Sequence, residues 1–105
     1  MHFSQLEKYL TDKGVPDAST QAAVTVLVSV YSYTNRKNSK PGMVSLQALV
    51  EDVGHRMNKD KNFNNFPYVL DGLNVLEANG FVRKKYGVYT ITQKTINLIK
   101  QSQPI

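Results

Sequence analysis

Apolar residues recur at intervals of three and four along most of this chain, the mark of helices that bury one face. Phe3, Leu6 and Leu10, with Tyr9 beside them, predict a short first helix that stops at Lys13-Gly14, ahead of Val15-Pro16. The next run, Val24 to Tyr33, is rich in β-branched residues and by composition suits a strand. Its polar residues settle the period. Gln21, Thr25, Ser29, Ser32 and Arg36 form one stripe of a helix, whereas a strand places Thr25 and Ser29 on the same face as Leu27 and Tyr31. Asp17 and Ser19 offer N-caps to this second helix. Outside the stripe it is apolar nearly all round, with Ala22, Ala23, Val26, Leu27 and Val30 on one side and Val24, Val28 and Tyr31 on another. A helix of that kind is covered on most faces. One small core covers one side, so the other must be covered by the first helix, by a second copy of the chain, or by both; Val24, Val28 and Tyr31 are thus a candidate dimer interface and the first helix (residues 1–14) a candidate dimerisation element.

Residues 35–42 read as a polar loop, and Met43-Val44 as a very short strand. Ser45 caps a third helix whose stripe is Leu46, Leu49, Val50 and Val53, running toward Met57. A second polar loop spans residues 58–65, and Pro67 suits the first turn of a fourth helix with Phe66, Val69, Leu70, Leu73 and Leu76 as its core face. Asn79-Gly80 ends that helix. Residues 81–92 read as two short strands around a glycine turn, expected to close as a three-residue loop, Lys85-Tyr86-Gly87, because a two-residue loop forces positive φ on Tyr86. Thr92 caps a last helix carrying Ile96, Leu98 and Ile99.

At 105 residues the chain is expected to form one domain. It has no cysteine, which removes disulfides and thiolate chemistry and fits a reducing compartment. Neither a signal peptide nor a membrane-spanning run is apparent, so a cytoplasmic protein without membrane partners is expected.

Charge changes the picture. The net charge is +5, yet the first 79 residues carry eight cations and eight acids, while residues 80–105 hold Arg83, Lys84, Lys85, Lys94 and Lys100 and no acid. Three of the five are consecutive, in the hairpin. A basic hairpin suits a phosphate backbone, where Lys and Arg gain affinity by releasing condensed counterions. Lysine on an exposed strand also blocks edge pairing, the simpler use of the same residues.

From Ser45 to Ile99 the order helix, helix, basic hairpin, helix resembles the winged-helix (winged helix-turn-helix) superfamily of DNA-binding proteins. The resemblance rests on the helices Leu46 to Met57 and Phe66 to Asn79, the exit Leu76-Glu77-Ala78-Asn79-Gly80-Phe81-Val82, the basic hairpin as wing, and the close Tyr89-Thr90-Ile91-Thr92-Gln93-Lys94. It implies a mainly α fold with a small antiparallel β-hairpin, a winged helix-turn-helix with an extra N-terminal helix, whose core is residues 45–100 of a single domain spanning 1–105. It further implies that the fourth helix reads double-stranded DNA through Asn64, Asn65, Tyr68 and Asp71, with Gly72 also outward. The wing, Arg83, Lys84, Lys85 and Tyr86, and the loop residues Lys59 and Lys61 then contact the backbone. Arg83 has the alternative of lying against Tyr89. The fourth helix departs from the usual pattern in carrying no Lys or Arg while holding Asp71.

Catalysis has little to stand on. His2 lies at a terminus, His55 has no second ligand or nucleophile at recognisable spacing, and Glu51 and Asp52 point to different faces of a helix. No glycine-rich phosphate loop is present. The expectation is a homodimeric, non-enzymatic DNA-binding protein without cofactor or metal, acting by occupancy as a small transcriptional regulator or a plasmid or phage site-binding protein. The alternative is a protein-interaction module whose wing and fourth helix dock an acidic partner.

Overall fold

Helix α2 (Asp17–Thr34) packs most extensively on α4 (Phe66–Ala78) and also meets α1 (Ser4–Asp12) and α3 (Leu46–Arg56). The structure, a computed structural model, describes residues 4–34, 44–57 and 65–102. The remaining elements are strands β1 (Val44–Ser45), β2 (Val82–Lys85) and β3 (Val88–Ile91) and helix α5 (Gln93–Ser102). The molecule is mainly helical with a small antiparallel sheet, as the periodicity predicts.

Helix wins over strand in α2 because the helical period buries Ala22, Ala23, Val26, Leu27 and Val30 together, and two of its hydroxyls bond within the helix. Thr25 Oγ1 donates to the Gln21 carbonyl and Ser32 Oγ to the Val28 carbonyl, each over 3.0 Å. Val26, Leu27 and Val30 then enter one cluster with Leu6 and Leu10 of α1, Leu49 and Val53 of α3, and Val69, Leu73 and Leu76 of α4. Burying each such side chain contributes about 1.5–3 kcal/mol. Val24, Val28 and Tyr31, expected to need cover from the first helix or a second copy of the chain, are half-buried and pack against this same cluster.

Gly72 is where α2 and α4 come closest. A Cβ at this position would lie 2.6 Å from the Ala22 carbonyl oxygen and 2.8 Å from Val26 Cγ2. The residue is buried, not outward, so the expectation for Gly72 is corrected. Phe66 is corrected in the opposite sense. The buried stripe of α4 is Val69, Gly72, Leu73 and Leu76, and Phe66 falls outside it, 41 % exposed.

Ser45 caps α3 as expected, its Oγ accepting from the Ala48 N–H at 3.2 Å. The sheet order is β1-β3-β2, with Val44 opposite Tyr89 and Val82 opposite Ile91. Val44, Val82 and Tyr89 are buried, so one face of the sheet closes over the helices. Among the described residues no helix is long and apolar enough to cross a membrane.

Candidate nucleic-acid interface

The hairpin is joined to α4 by a tight helix stop. Gly80, at φ 78°, lets the Phe81 N–H reach back to the Leu76 carbonyl at 2.8 Å while its own N–H bonds to the Glu77 carbonyl. This doubly bonded stop needs a residue at positive φ, where glycine has no steric cost. Phe81 and Leu76 are both buried behind it. The returning strand is fastened to the same point. Thr92 Oγ1 donates to the Gly80 carbonyl at 2.6 Å, the Thr92 N–H to the Phe81 carbonyl at 3.2 Å, and the buried Thr95 hydroxyl to that same Phe81 carbonyl. Both ends of the hairpin are thus tied to the end of α4.

The turn differs from expectation. Lys85 pairs with Val88, leaving a two-residue loop in which Tyr86 (φ 53°) and Gly87 (φ 78°) both take positive φ. The register explains why. A three-residue loop would shift Val82 from opposite Ile91 to opposite Thr90, and with a side-chain period of two it could not keep Val82, Tyr89 and Ile91 on one face. Burial of that face outweighs the strain at Tyr86. The same register puts Lys84, not Arg83, beside Tyr89, its Nζ 5.8 Å from the ring centroid. Arg83 sits opposite Thr90 and shares the other face with Lys85. All three cations are exposed, and β2 is an edge strand.

The fourth cation of the segment is already committed. Lys94 Nζ donates to Tyr9 Oη at 3.0 Å and to the Asn79 carbonyl at 2.8 Å, and lies 4.6 Å from the Phe81 ring centroid. It therefore places a cation at the C-terminal end of α4, where the helix dipole favours one, and links α5 to α1. The hydrogen bond from Lys94 lowers the pKa of Tyr9, with the charges of Lys94 and Lys13 adding to it and burial opposing. Tyr9 meets Phe81 edge to face, with centroids 5.3 Å apart.

On α4 the structure corrects the expected reading face. Asn65 is only 5 % exposed, and its Nδ2 donates to the Val50 carbonyl at 2.7 Å, tying the start of α4 to α3. Tyr68 is half-buried and donates to Thr25 Oγ1 at 3.1 Å. Asp71 is exposed. Asn64, Lys59 and Lys61 lie outside the described residues. The exposed side of α4 holds Phe66, Pro67, Asp71, Asn74 and Glu77, with no Lys or Arg in the helix. Asn74 is the amide this face presents. It was legible as the residue opposite the stripe Val69, Gly72 and Leu76. His55 is exposed in the last turn of α3, and among the described residues no group of three or more metal-ligating side chains is present.

Comparison with protein-family models, with curated proteins and with solved structures gives no match.

Proposed function

We propose that this chain is a winged-helix protein that binds double-stranded DNA, with the β2–β3 hairpin as its wing, and that it acts by occupancy without a catalytic step. The order α2, β1, α3, α4, β2, β3 and the sheet order β1-β3-β2 support that assignment. The observation that carries the function is the group of three exposed cations, Arg83, Lys84 and Lys85, on a hairpin whose segment contains no acid. Such a group neutralises phosphates whatever the sequence beneath it. Base contacts fall to Asn74, since an asparagine can bond an adenine edge twice, while Asn65 and Tyr68 hold the helix in place. Two copies joined across Val24, Val28 and Tyr31 would bring two wings to one duplex, and sedimentation at micromolar concentration tests that association.

The test of function is a titration of the purified chain against random and genomic-neighbourhood duplexes at two salt concentrations. Affinity that falls steeply with salt supports the reading, and salt-independent or undetectable binding removes it. A second reading, a module whose wing docks an acidic protein, is favoured if α4 is turned away from the partner, since its exposed side holds Asp71 and Glu77 and no Lys or Arg and repels a phosphate backbone.

A further inference from the structure

Tyr86 stands at the tip of the hairpin with 93 % of its surface exposed and its backbone at φ 53°. A two-residue turn of this kind is favoured by Asn or Gly, which accept positive φ easily. A tyrosine there is strained, and burial of its own ring does not offset the strain. The register requires positive φ at position 86 but not a tyrosine, so an exposed aromatic kept there in place of Asn or Gly points to a use outside the fold. The ring follows Arg83, Lys84 and Lys85 in sequence, with the Lys85 ammonium 5.6 Å from its centroid. A flat aromatic face beside cations that track a backbone is the arrangement by which proteins stack on unpaired bases.

From this geometry we infer that Tyr86 stacks on an unpaired base, so that the chain prefers DNA in which a base is already unstacked beside a duplex. The inference rests on the DNA-binding reading. In an intact duplex the base faces are hidden, and exposing one costs unstacking energy, least where the base is mismatched or unpaired. The phenol also suits a stacking platform better than a wedge between base pairs, for which apolar side chains are used.

The test compares a labelled blunt duplex with the same duplex carrying one unpaired thymine, using wild type, Tyr86→Phe and Tyr86→Asn. Wild type and Tyr86→Phe should bind the bulged duplex about tenfold more tightly than the blunt one, as one stacked base warrants. Tyr86→Asn should lose that preference and keep the salt dependence on blunt duplex, and its Tm should rise because asparagine relaxes the turn. Equal wild-type affinity for the two duplexes, or a preference retained in Tyr86→Asn, overturns the stacking role. If salt-dependent duplex binding persists in that case, the DNA reading stands without it. If neither duplex is bound with salt-dependent affinity, the DNA reading falls and the stacking role with it.

Discussion

Ser29, fully buried in α2, donates a 2.6 Å hydrogen bond to the Asp52 carboxylate of α3, and Arg56 Nε holds the same oxygen at 2.7 Å. Arg56 also reaches Ser32, so the polar stripe of α2 is spent on its neighbours: Tyr68 at Thr25, Asp52 at Ser29 and Arg56 at Ser32. Removing the carboxylate leaves a buried hydroxyl without its acceptor. Asp52→Ala is expected to cost about 2–3 kcal/mol and Ser29→Ala about 1–2 kcal/mol in urea unfolding. The double variant should fall short of the sum, because both remove one interaction.

Gly72→Ala places a methyl within 2.6 Å of the Ala22 carbonyl oxygen, and backbone cannot swing away as a side chain can. Overpacking of this kind costs about 1–3 kcal/mol. Chemical denaturation should show that loss with an unchanged m-value.

Replacing Arg83, Lys84 and Lys85 together with alanine should leave Tm nearly unchanged, since all three are exposed. The slope of log affinity against log salt should flatten by roughly 0.9 for each phosphate that is no longer neutralised. Lys84 should matter least, because its ammonium already lies against Tyr89. A triple variant with an unchanged slope would show these cations to be guards of the edge strand.

Asp71 and Asn74 test whether α4 faces the duplex. Asp71→Lys should tighten binding several-fold at low salt, and Asn74→Ala should weaken the preferred site by about 1–3 kcal/mol with little effect on random DNA. Equal affinities for all three proteins on both duplexes would assign binding to the wing and take α4 out of the interface.

Tyr9 gives a pH signature. Its hydrogen bond from Lys94 lowers its pKa, so an ultraviolet titration of the folded chain should show a phenolate component forming below the ordinary value of 10.0 and absent in Lys94→Gln. A depressed acid favours the folded state once ionised. Its contribution therefore appears as pH rises through the lowered pKa, is complete above the ordinary value, and is lost on the way back down.

The element order was legible because each helix states its period locally, and α1 and α4 stop at Gly14 and Gly80. Even α2 was readable, through Gln21, Thr25, Ser29 and Ser32 at helical spacing, Arg36 lying outside the described residues. What failed involved distant partners. Asn65 reads as a surface amide, yet it falls on the stripe with Val69, Gly72 and Leu76, and the Val50 carbonyl it satisfies belongs to another helix. Spacing alone held that clue. The Tyr86 turn escapes a local reading because the cost of positive φ is local, whereas the register that overrules it depends on Val82, Tyr89 and Ile91 facing the core together. For α4, Val69, Leu73 and Leu76 were legible as core, while Phe66, Gly72 and Asn65 were not, because the stripe is rotated toward the close approach of Gly72 to Ala22.

The joint at Gly80, Phe81, Thr92 and Thr95 makes the hairpin a fixed arm on α4. If the wing and α4 grip one duplex, they act as the jaws of a caliper with a set gap, and the partner must supply the adjustment. Selectivity can then arise from how easily a stretch of DNA bends or narrows to fit, at base pairs that no side chain of this protein reaches.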